Sequence, residues 1–445
     1  MKPKVNIITL GCSKNLVDSE RVMRMLADAG FSAVHEADDF SGGPVVINTC
    51  GFISDAKEES VNTILDACRL KEDGIIDRVY VMGCLAQRYA DELPPEIPEV
   101  DAWFGKFDWK NVVERLKADY PVTPLRTRHP SWDRKITTPS HHAYLKIAEG
   151  CNRFCAFCAI PIITGRYHSR PVDEILAEVR SLVKRGVREF NVIAQDLSSY
   201  GRDLPGTPSG ASHFVDLLER MSDTEGVEWI RLHYAYPSDF PYEILPVMAS
   251  RKNICKYLDI AFQHIDDRVL GNMQRHIDAE KTRELLARLR AEVPGIHIRT
   301  TLMTGFPGET EEAFDNLMDF VREQRFDRMG AFAYCEEEDT AAARNLTDDI
   351  PPEVKQERLD RLMALQEEIA LELNRAKIGK VMRVVIDSEN DLNYVARTEF
   401  DSPEVDPEVI VTKDVPLQIG EFYDVVITDA APFELFGSIV NPAAN

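Results

Sequence analysis

The sequence predicts an α/β protein in three parts: an N-terminal α/β domain with a parallel sheet, a central six-unit β/α part-barrel, and a small C-terminal five-stranded β barrel. Three observations predict it. Strand-like and helical runs alternate over the first 120 residues. The alternation restarts near Ala143 and recurs about six times. The last 65 or so residues change to short runs of period two. The expected boundaries are 1–120, a linker at 121–138, a core at 139–377 and a terminal barrel at 378–445.

In the first part, Lys4 to Leu10, Pro44 to Thr49 and Arg78 to Met82 read as strands. Asp18 to Ala29 reads as a helix capped by Asp18 or Ser19, with Val22, Met25, Leu26 and Ala29 on its apolar stripe and Gly30 as its stop. Ala56 to Leu70 is a second helix. Residues near 120–140 are rich in Pro, Thr, Arg and His, the composition of a linker. In the core, the strands are Ala143–Ala148, Glu189–Ala194, Trp229–Tyr234, Tyr257–Phe262, Ile296–Met303 and Arg328–Tyr334, with helical runs such as Val172–Arg185, Phe214–Met221 and Ala279–Glu292 between them. A barrel of this kind builds its site at the C-terminal ends of its strands. A long helix, Pro352 to Ile378, ends at Gly379. Met382–Ile386, Tyr394–Thr398, Val409–Val411, Tyr423–Thr428 and Leu435–Val440 then predict the small barrel.

A chain of 445 residues with 44% hydrophobic and 29% charged residues suits a soluble globular protein of two or three domains. No long apolar run predicts a transmembrane span, and Met1 to Leu10 has no signal-peptide pattern, so a cytoplasmic location is expected. The net charge of −23 repels phosphate backbones and suits a basic partner, although solubility alone also explains it. A monomer is expected. Nine cysteines in a reducing compartment point to metal binding or catalysis wherever spacing supports it.

The spacing supports it at Cys151-Asn152-Arg153-Phe154-Cys155-Ala156-Phe157-Cys158, a C-x3-C-x2-C run in the loop after the first barrel strand. Three thiolates on one loop suit a cubane iron–sulfur cluster, which normally takes four ligands. No fourth cysteine lies nearby, which leaves one iron open. A zinc site or three buried thiols are the alternatives; zinc would want a fourth ligand. Cys12, Cys50 and Cys84 each follow a predicted strand. In a parallel sheet those strand ends share one edge, so the three cysteines meet in space and form a second candidate cluster site. Cys68, Cys255 and Cys335 have no such placement, and Cys68 reads as a small core residue.

The central spacing, with an aromatic residue before the last cysteine, resembles the radical S-adenosylmethionine superfamily. The resemblance implies that the open iron chelates S-adenosyl-L-methionine, that reductive cleavage releases a 5′-deoxyadenosyl radical, and that Phe157 packs near the adenine. With the N-terminal three-cysteine domain and the terminal barrel, the whole chain resembles the methylthiotransferases. That implies two 4Fe-4S clusters, the second on Cys12, Cys50 and Cys84 presenting sulfur, and S-adenosylmethionine as source of both radical and methyl group. An electron donor is also implied. One branch of the family modifies tRNA adenosine; the other modifies an aspartate of the small-subunit ribosomal protein at the decoding centre.

Thr9-Leu10-Gly11-Cys12-Ser13-Lys14-Asn15-Leu16-Val17-Asp18-Ser19-Glu20, Tyr257-Leu258-Asp259-Ile260 with Gln263-His264-Ile265, and Gly305-Phe306-Pro307-Gly308-Glu309-Thr310-Glu311-Glu312 are similar to the protein-modifying branch. Charge agrees. From Ala376 onward there are 5 basic and 13 acidic residues, a formal −8. The family's terminal barrel, the TRAM domain, is held to grip the substrate. An acidic one suits a basic ribosomal protein rather than free nucleic acid, unless it only braces the fold. Besides the tRNA branch, a non-catalytic iron–sulfur protein is the competing reading, and three ligands per cluster rather than four count against it.

Thr164 stands where the family commonly has Arg, and Ala261-Phe262 where Pro-Leu is usual. Gln195, Gln263 and Thr304 fall at barrel strand ends and are candidate S-adenosylmethionine contacts. Gly305 to Glu309 lacks the Lys-Ser/Thr of a phosphate loop and predicts a tight turn into a helix near Thr310. His141 and His142 are expected at the surface, and Glu336 to Asp339 in a solvated loop.

Overall fold

The computed structural model describes residues 3–37, 42–125, 129–206, 210 and 212–440. Strands β1 (Lys4–Thr9), β2 (Ser32–His35), β3 (Val45–Thr49), β4 (Val79–Gly83) and β5 (Ala102–Trp103) form a parallel sheet in the order β2-β1-β3-β4-β5. β3 is buried on both faces because helices cover both. Val46 packs with Val22, Leu26, Val112 and Leu116, while Val45 and Ile47 pack with Ile64, Ala67 and Cys68. β2 and β5 add two edge strands to the three read from sequence; at four and two residues they are too short to carry a period.

The first helix begins earlier than expected, at Ser13, and runs to Ala29 with Gly30 at φ +104° as its left-handed stop. Asp18 and Ser19 are therefore not caps. They lie inside the helix and are buried. Cys12, in extended backbone, takes the N-cap position.

Strands β6 (His142–Lys146), β9 (Glu189–Ile193), β10 (Trp229–Ala235), β11 (Ile254–Ile260), β12 (His297–Thr304) and β13 (Arg328–Ala333) form the open parallel part-barrel, in the order β13-β12-β11-β10-β9-β6. Leu145, Val192, Leu232, Leu258 and Leu302 face the surrounding helices. A short antiparallel pair, β7 (Ala148–Glu149) with β8 (His168–Ser169), pinches the base of the loop that carries Cys151, Cys155 and Cys158. Thr310 caps helix Glu311–Gln324 by accepting from the Ala313 N–H, the turn-to-helix junction the sequence predicts.

β14 (Val381–Glu389), β15 (Asn393–Thr398), β16 (Glu408–Thr412), β17 (Phe422–Ala430) and β18 (Glu434–Ile439) close the five-stranded barrel, in the order β14-β15-β16-β18-β17. Its β15–β16 loop plugs the part-barrel. The Tyr257 hydroxyl donates to Asp406 at 2.8 Å, the Tyr144 hydroxyl to Glu404 at 3.1 Å, and Phe400 stacks on His297 at 3.8 Å. Arg397 reaches Glu189 at 2.8 Å and Asp387 at 2.6 Å.

Two surface expectations, at His141 and His142 and at Glu337, are overturned, and a residue of the expected linker, Arg134, is buried as well. His141 and His142 are buried, and His141 Nε2 lies 2.7 Å from Asp387 of the barrel. Arg134, in the expected linker, is buried between Glu20 of the N-terminal domain and Glu178 of the core. Glu337 is not solvated: it accepts from Lys57 and Arg88, each at 2.9 Å, and ties the loop after β13 to the N-terminal domain. In each case the partner is remote in sequence. Among the described residues no helix is long and apolar enough to cross a membrane.

Candidate active site

β1, β3 and β4 are neighbours in the parallel sheet, so Cys12, Cys50 and Cys84 emerge at one edge. Each has a glycine beside it. Gly11 stands at φ +86°, and a Cβ there would meet Cys50 Sγ at 2.7 Å; a Cβ on Gly83, at φ +106°, would meet the Thr49 backbone at 2.6 Å. Only glycine lets the three strand ends close up this far. Asn15 staples them: its Nδ2 donates to the Leu10 and Thr49 carbonyls at 3.0 and 3.1 Å, and its Oδ1 lies 3.5 Å from Cys84 Sγ. The thiols feel one another. Burial, with Cys12 and Cys50 nearby, outweighs Lys106 and pushes Cys84 up to about 12. At Cys12, desolvation by the surrounding protein is outweighed by Lys14 and Lys106, which hold the thiol below its ordinary value.

The central loop gathers the other set. The Cys151 N–H donates to the Gly165 carbonyl at 3.2 Å, and the Cys158 N–H to the Cys155 carbonyl at 3.0 Å. Burial pushes Cys151 up to about 12, with Asp196 and Cys155 adding to it. Arg275 Nη1 donates to Cys155 Sγ at 3.3 Å, and the Tyr236 hydroxyl lies 3.4 Å from the same sulfur. The Arg275 and Arg153 guanidiniums lie 4.0 and 4.3 Å from the Tyr236 ring centroid, and Arg153 is held by Asp196 at 2.6 Å.

A charged quartet, three members buried and Glu149 part-buried, joins the two sets. Lys106 Nζ lies 3.1 Å from Asp18 and 3.3 Å from Asn15 Oδ1, Lys146 pairs with Asp18 and lies 2.6 Å from Glu149, and Lys106 approaches Glu149 at 4.0 Å. Burial works against the Glu149 charge, but Lys146 and Lys106 prevail and hold its pKa at about 2. Glu149 leads directly into Gly150 and Cys151.

The other predicted contacts are placed as follows. Phe157 lies edge-on to Phe306 at 6.2 Å, against an apolar floor that includes Met273 and Met303. Gln195 donates to Glu149, and its Oε1 is buried without a partner. Gln263 adopts φ +70° and also leaves a buried Oε1 unpartnered. The Thr304 hydroxyl is occupied, donating to the Lys355 carbonyl at 3.2 Å. Thr164 is buried with its hydroxyl on the Ile160 carbonyl. Sequence reasoning missed Asn15, Lys106, Tyr236 and Arg275. Asn15 was findable, three residues after a cysteine at a strand end; the others carry no local signal.

The donors fit iron–sulfur clusters. Among the described residues no three His, Cys, Asp or Glu side chains close tightly enough to chelate a single metal ion. A cubane takes one thiolate at each of three corners, and the chemistry of the two donor sets, three strand-end thiols and three loop thiols, is of that kind. The orphaned amide oxygens of Gln195 and Gln263 are acceptors left for a polar ligand beside the central loop.

Residues 4–105 match uncharacterized protein family UPF0004, residues 145–321 the radical SAM superfamily, and residues 378–440 the TRAM domain. The structure of the radical S-adenosylmethionine methyltransferase TsrM from Kitasatospora setae covers 75% of this chain and 72% of its own, with TM-score 0.54 and 16% identity, a likeness of fold. Two relatives are similar over their whole length. The ribosomal protein uS12 methylthiotransferase RimO of Parabacteroides distasonis is 53% identical over 440 residues, 99% of this chain and 100% of that one. The RimO of Bacteroides fragilis is 54% identical over 443 residues, with 99% and 100% covered. The chain belongs to the RimO family of ribosomal protein uS12 methylthiotransferases.

Proposed function

We propose that this protein methylthiolates the β-carbon of an aspartate in ribosomal protein uS12, in the cytoplasm. The observation that carries the reading is the joining of two three-cysteine sets by the Asp18, Lys106, Lys146 and Glu149 quartet, in a chain whose full-length relatives are RimO proteins. Cys151, Cys155 and Cys158 would hold one 4Fe-4S cluster and Cys12, Cys50 and Cys84 the other. Bound together with S-adenosylmethionine, these groups supply radical generation, sulfur and the methyl group.

The protein's own contribution is placement. Gly11 and Gly83 let the outer thiols converge, and Asn15 holds the strand ends that carry two of them. Burial pushes up the thiols of Cys50 and Cys84 in one set and of Cys151 and Cys158 in the other; these give up protons on ligation, so loading of either set is favoured by rising pH. Arg275 and Tyr236 orient Cys155. Gln195 and Gln263 offer acceptors, and Phe157 an apolar face, beside the central loop. The closed β15–β16 plug, Glu404 and Asp406 included, keeps water out of the lower part-barrel.

The acidic terminal barrel supports a basic protein substrate, with one refinement. Asp387, Asp401 and Asp406 are spent on Arg397, Arg328 and Arg299 and do not face outward. Asp391, Asp414, Asp424, Asp429 and Glu434 remain exposed for it. The test is intact-mass spectrometry of uS12 after incubation with reconstituted enzyme, reductant and S-adenosylmethionine. The expected result is a mass gain of one methylthio group on an aspartate. Unchanged uS12 together with methylthiolated tRNA would reject the reading.

A further inference from the structure

Helix Ser13–Ala29 lays its first turns across the mouth of the part-barrel. On β6 and β9, Leu145 and Val192 face the outer helices, so strand alternation turns Tyr144 and Ile193 inward. Leu16 and Val17 of the helix pack on those two residues. Lys14, one turn earlier and 8% exposed, reaches the end of β10, where its Nζ lies 3.3 Å from the Tyr234 ring centroid. Tyr234 stands at φ +64° in a register break of β10 between Leu232 and Ala235. That backbone is uncommon for an aromatic residue, and such outliers cluster at functional sites. The Tyr234 ring lies 5.9 Å from that of His233, and its N–H donates to Asp259 at 3.3 Å. Burial raises the Tyr144 pKa, and Glu404 and the Tyr234 phenol add to it, so the two phenols share one chamber. Tyr234 is 37% exposed, so solvent reaches that chamber.

Lys14 brings this chamber a charge that no anion answers. Among the described residues it has no hydrogen bond and no ion pair. The ring takes one side of the ammonium and leaves N–H donors over. Lys14 Nζ is not among the unpartnered atoms closed to water, so those donors can be reached. The surrounding charges are spent on other groups. Asp18, one turn along the helix, serves Lys106 and Lys146. Arg299 serves Asp259 and Asp406, each at 3.3 Å. Arg275 serves the Cys155 sulfur and the Ala261 carbonyl. A largely buried cation with no counter-charge is costly to keep, and an anion arriving from outside relieves that cost.

We propose that Lys14 anchors the target aspartate of the uS12 reading, on which this role rests, with its ammonium holding the side-chain carboxylate beside the Tyr234 ring. The β-carbon of an aspartate is one bond from its carboxylate carbon. A carboxylate fixed at Lys14, two residues beyond Cys12, therefore holds the β-carbon on the side of the chamber where the outer cysteine set lies. Asparagine has the same shape without the charge, so the charge is what Lys14 selects.

The test uses full-length enzyme with both clusters reconstituted, and labelled uS12 or its variant with the target aspartate changed to asparagine. Binding is followed by fluorescence anisotropy without reductant, so that no turnover occurs. The wild type is expected to bind uS12 at least about fivefold more tightly than the asparagine form. Lys14→Met should bring that ratio to about one, and Lys14→Arg, which keeps the charge, should restore most of it. With reductant and S-adenosylmethionine, Lys14→Met should still release 5′-deoxyadenosine while methylthiolation of uS12 falls at least about tenfold. Equal binding of the two uS12 forms by the wild type overturns the proposal without any enzyme variant, so a poorly folded Lys14→Met does not shelter it. A preference for aspartate that survives in Lys14→Met also overturns it; a fall in iron at the outer set in that same variant would assign Lys14 to Cys12 instead. In either case a wild type that methylthiolates uS12 keeps the functional reading. A wild type that neither binds nor modifies uS12 rejects the reading and the anchor together.

Discussion

Lys106 Nζ lies 3.1 Å from Asp18 Oδ2, with both side chains at 2% exposure or less. Burial opposes the Lys106 charge, but Asp18 and Cys84 prevail and raise its pKa. Removing one member of an isolated buried pair strands the other. Lys106→Met leaves Asp18 with Lys146, so it is expected to cost less stability than the about 3–5 kcal/mol of breaking an isolated buried pair. It should also lower iron loading at Cys12, Cys50 and Cys84 more than at the central set. Chemical denaturation and iron analysis in a Cys151→Ala background check both.

The two cysteine sets are expected to separate by activity. Cys151→Ala, Cys155→Ala or Cys158→Ala should abolish reductive cleavage of S-adenosylmethionine. Cys12→Ala, Cys50→Ala or Cys84→Ala should leave cleavage and stop sulfur transfer. Chromatography of 5′-deoxyadenosine alongside uS12 mass spectrometry reads the two separately; joint loss in the outer variants would contradict the division.

Arg275 places a hydrogen bond and a positive charge beside Cys155 Sγ. Both favour the reduced, more negative state of a cluster held there. Arg275→Met is therefore expected to move the midpoint potential of the central cluster to more negative values, and Tyr236→Phe to do so less or not at all. A redox titration followed by electron paramagnetic resonance checks the sign.

Asp401 anchors the terminal barrel through Arg328. Burial works against its charge, yet Arg328 and Lys377 prevail and hold its pKa at about 2. The folded value is depressed, so the stabilisation is present above the unfolded carboxylate pKa of about 4 and is lost as pH falls toward 2. The shift corresponds to about 2 kcal/mol. Asp401→Asn should be less stable at neutral pH and show a shallower loss of stability between about pH 4 and 2. Denaturation midpoints across that range decide it.

The sequence by itself determined the three-part α/β architecture and both cysteine sets. These are local or periodic properties: a C-x3-C-x2-C loop, glycines beside cysteines at strand ends, and a change of period from helix-and-strand units to short strands. Tertiary structure decided where the charges go. Asp18 reads as a helix cap and is a buried ion-pair partner; Glu337 reads as solvated and is clamped by Lys57 and Arg88; His141 and His142 read as surface and lie under the terminal barrel. The acidic tail reads as one substrate-facing charge and is divided between an internal anchor and an outer face. The reason is physical. An ionisable side chain has the same local sequence whether water or a distant counter-ion solvates it, and only the fold brings that counter-ion.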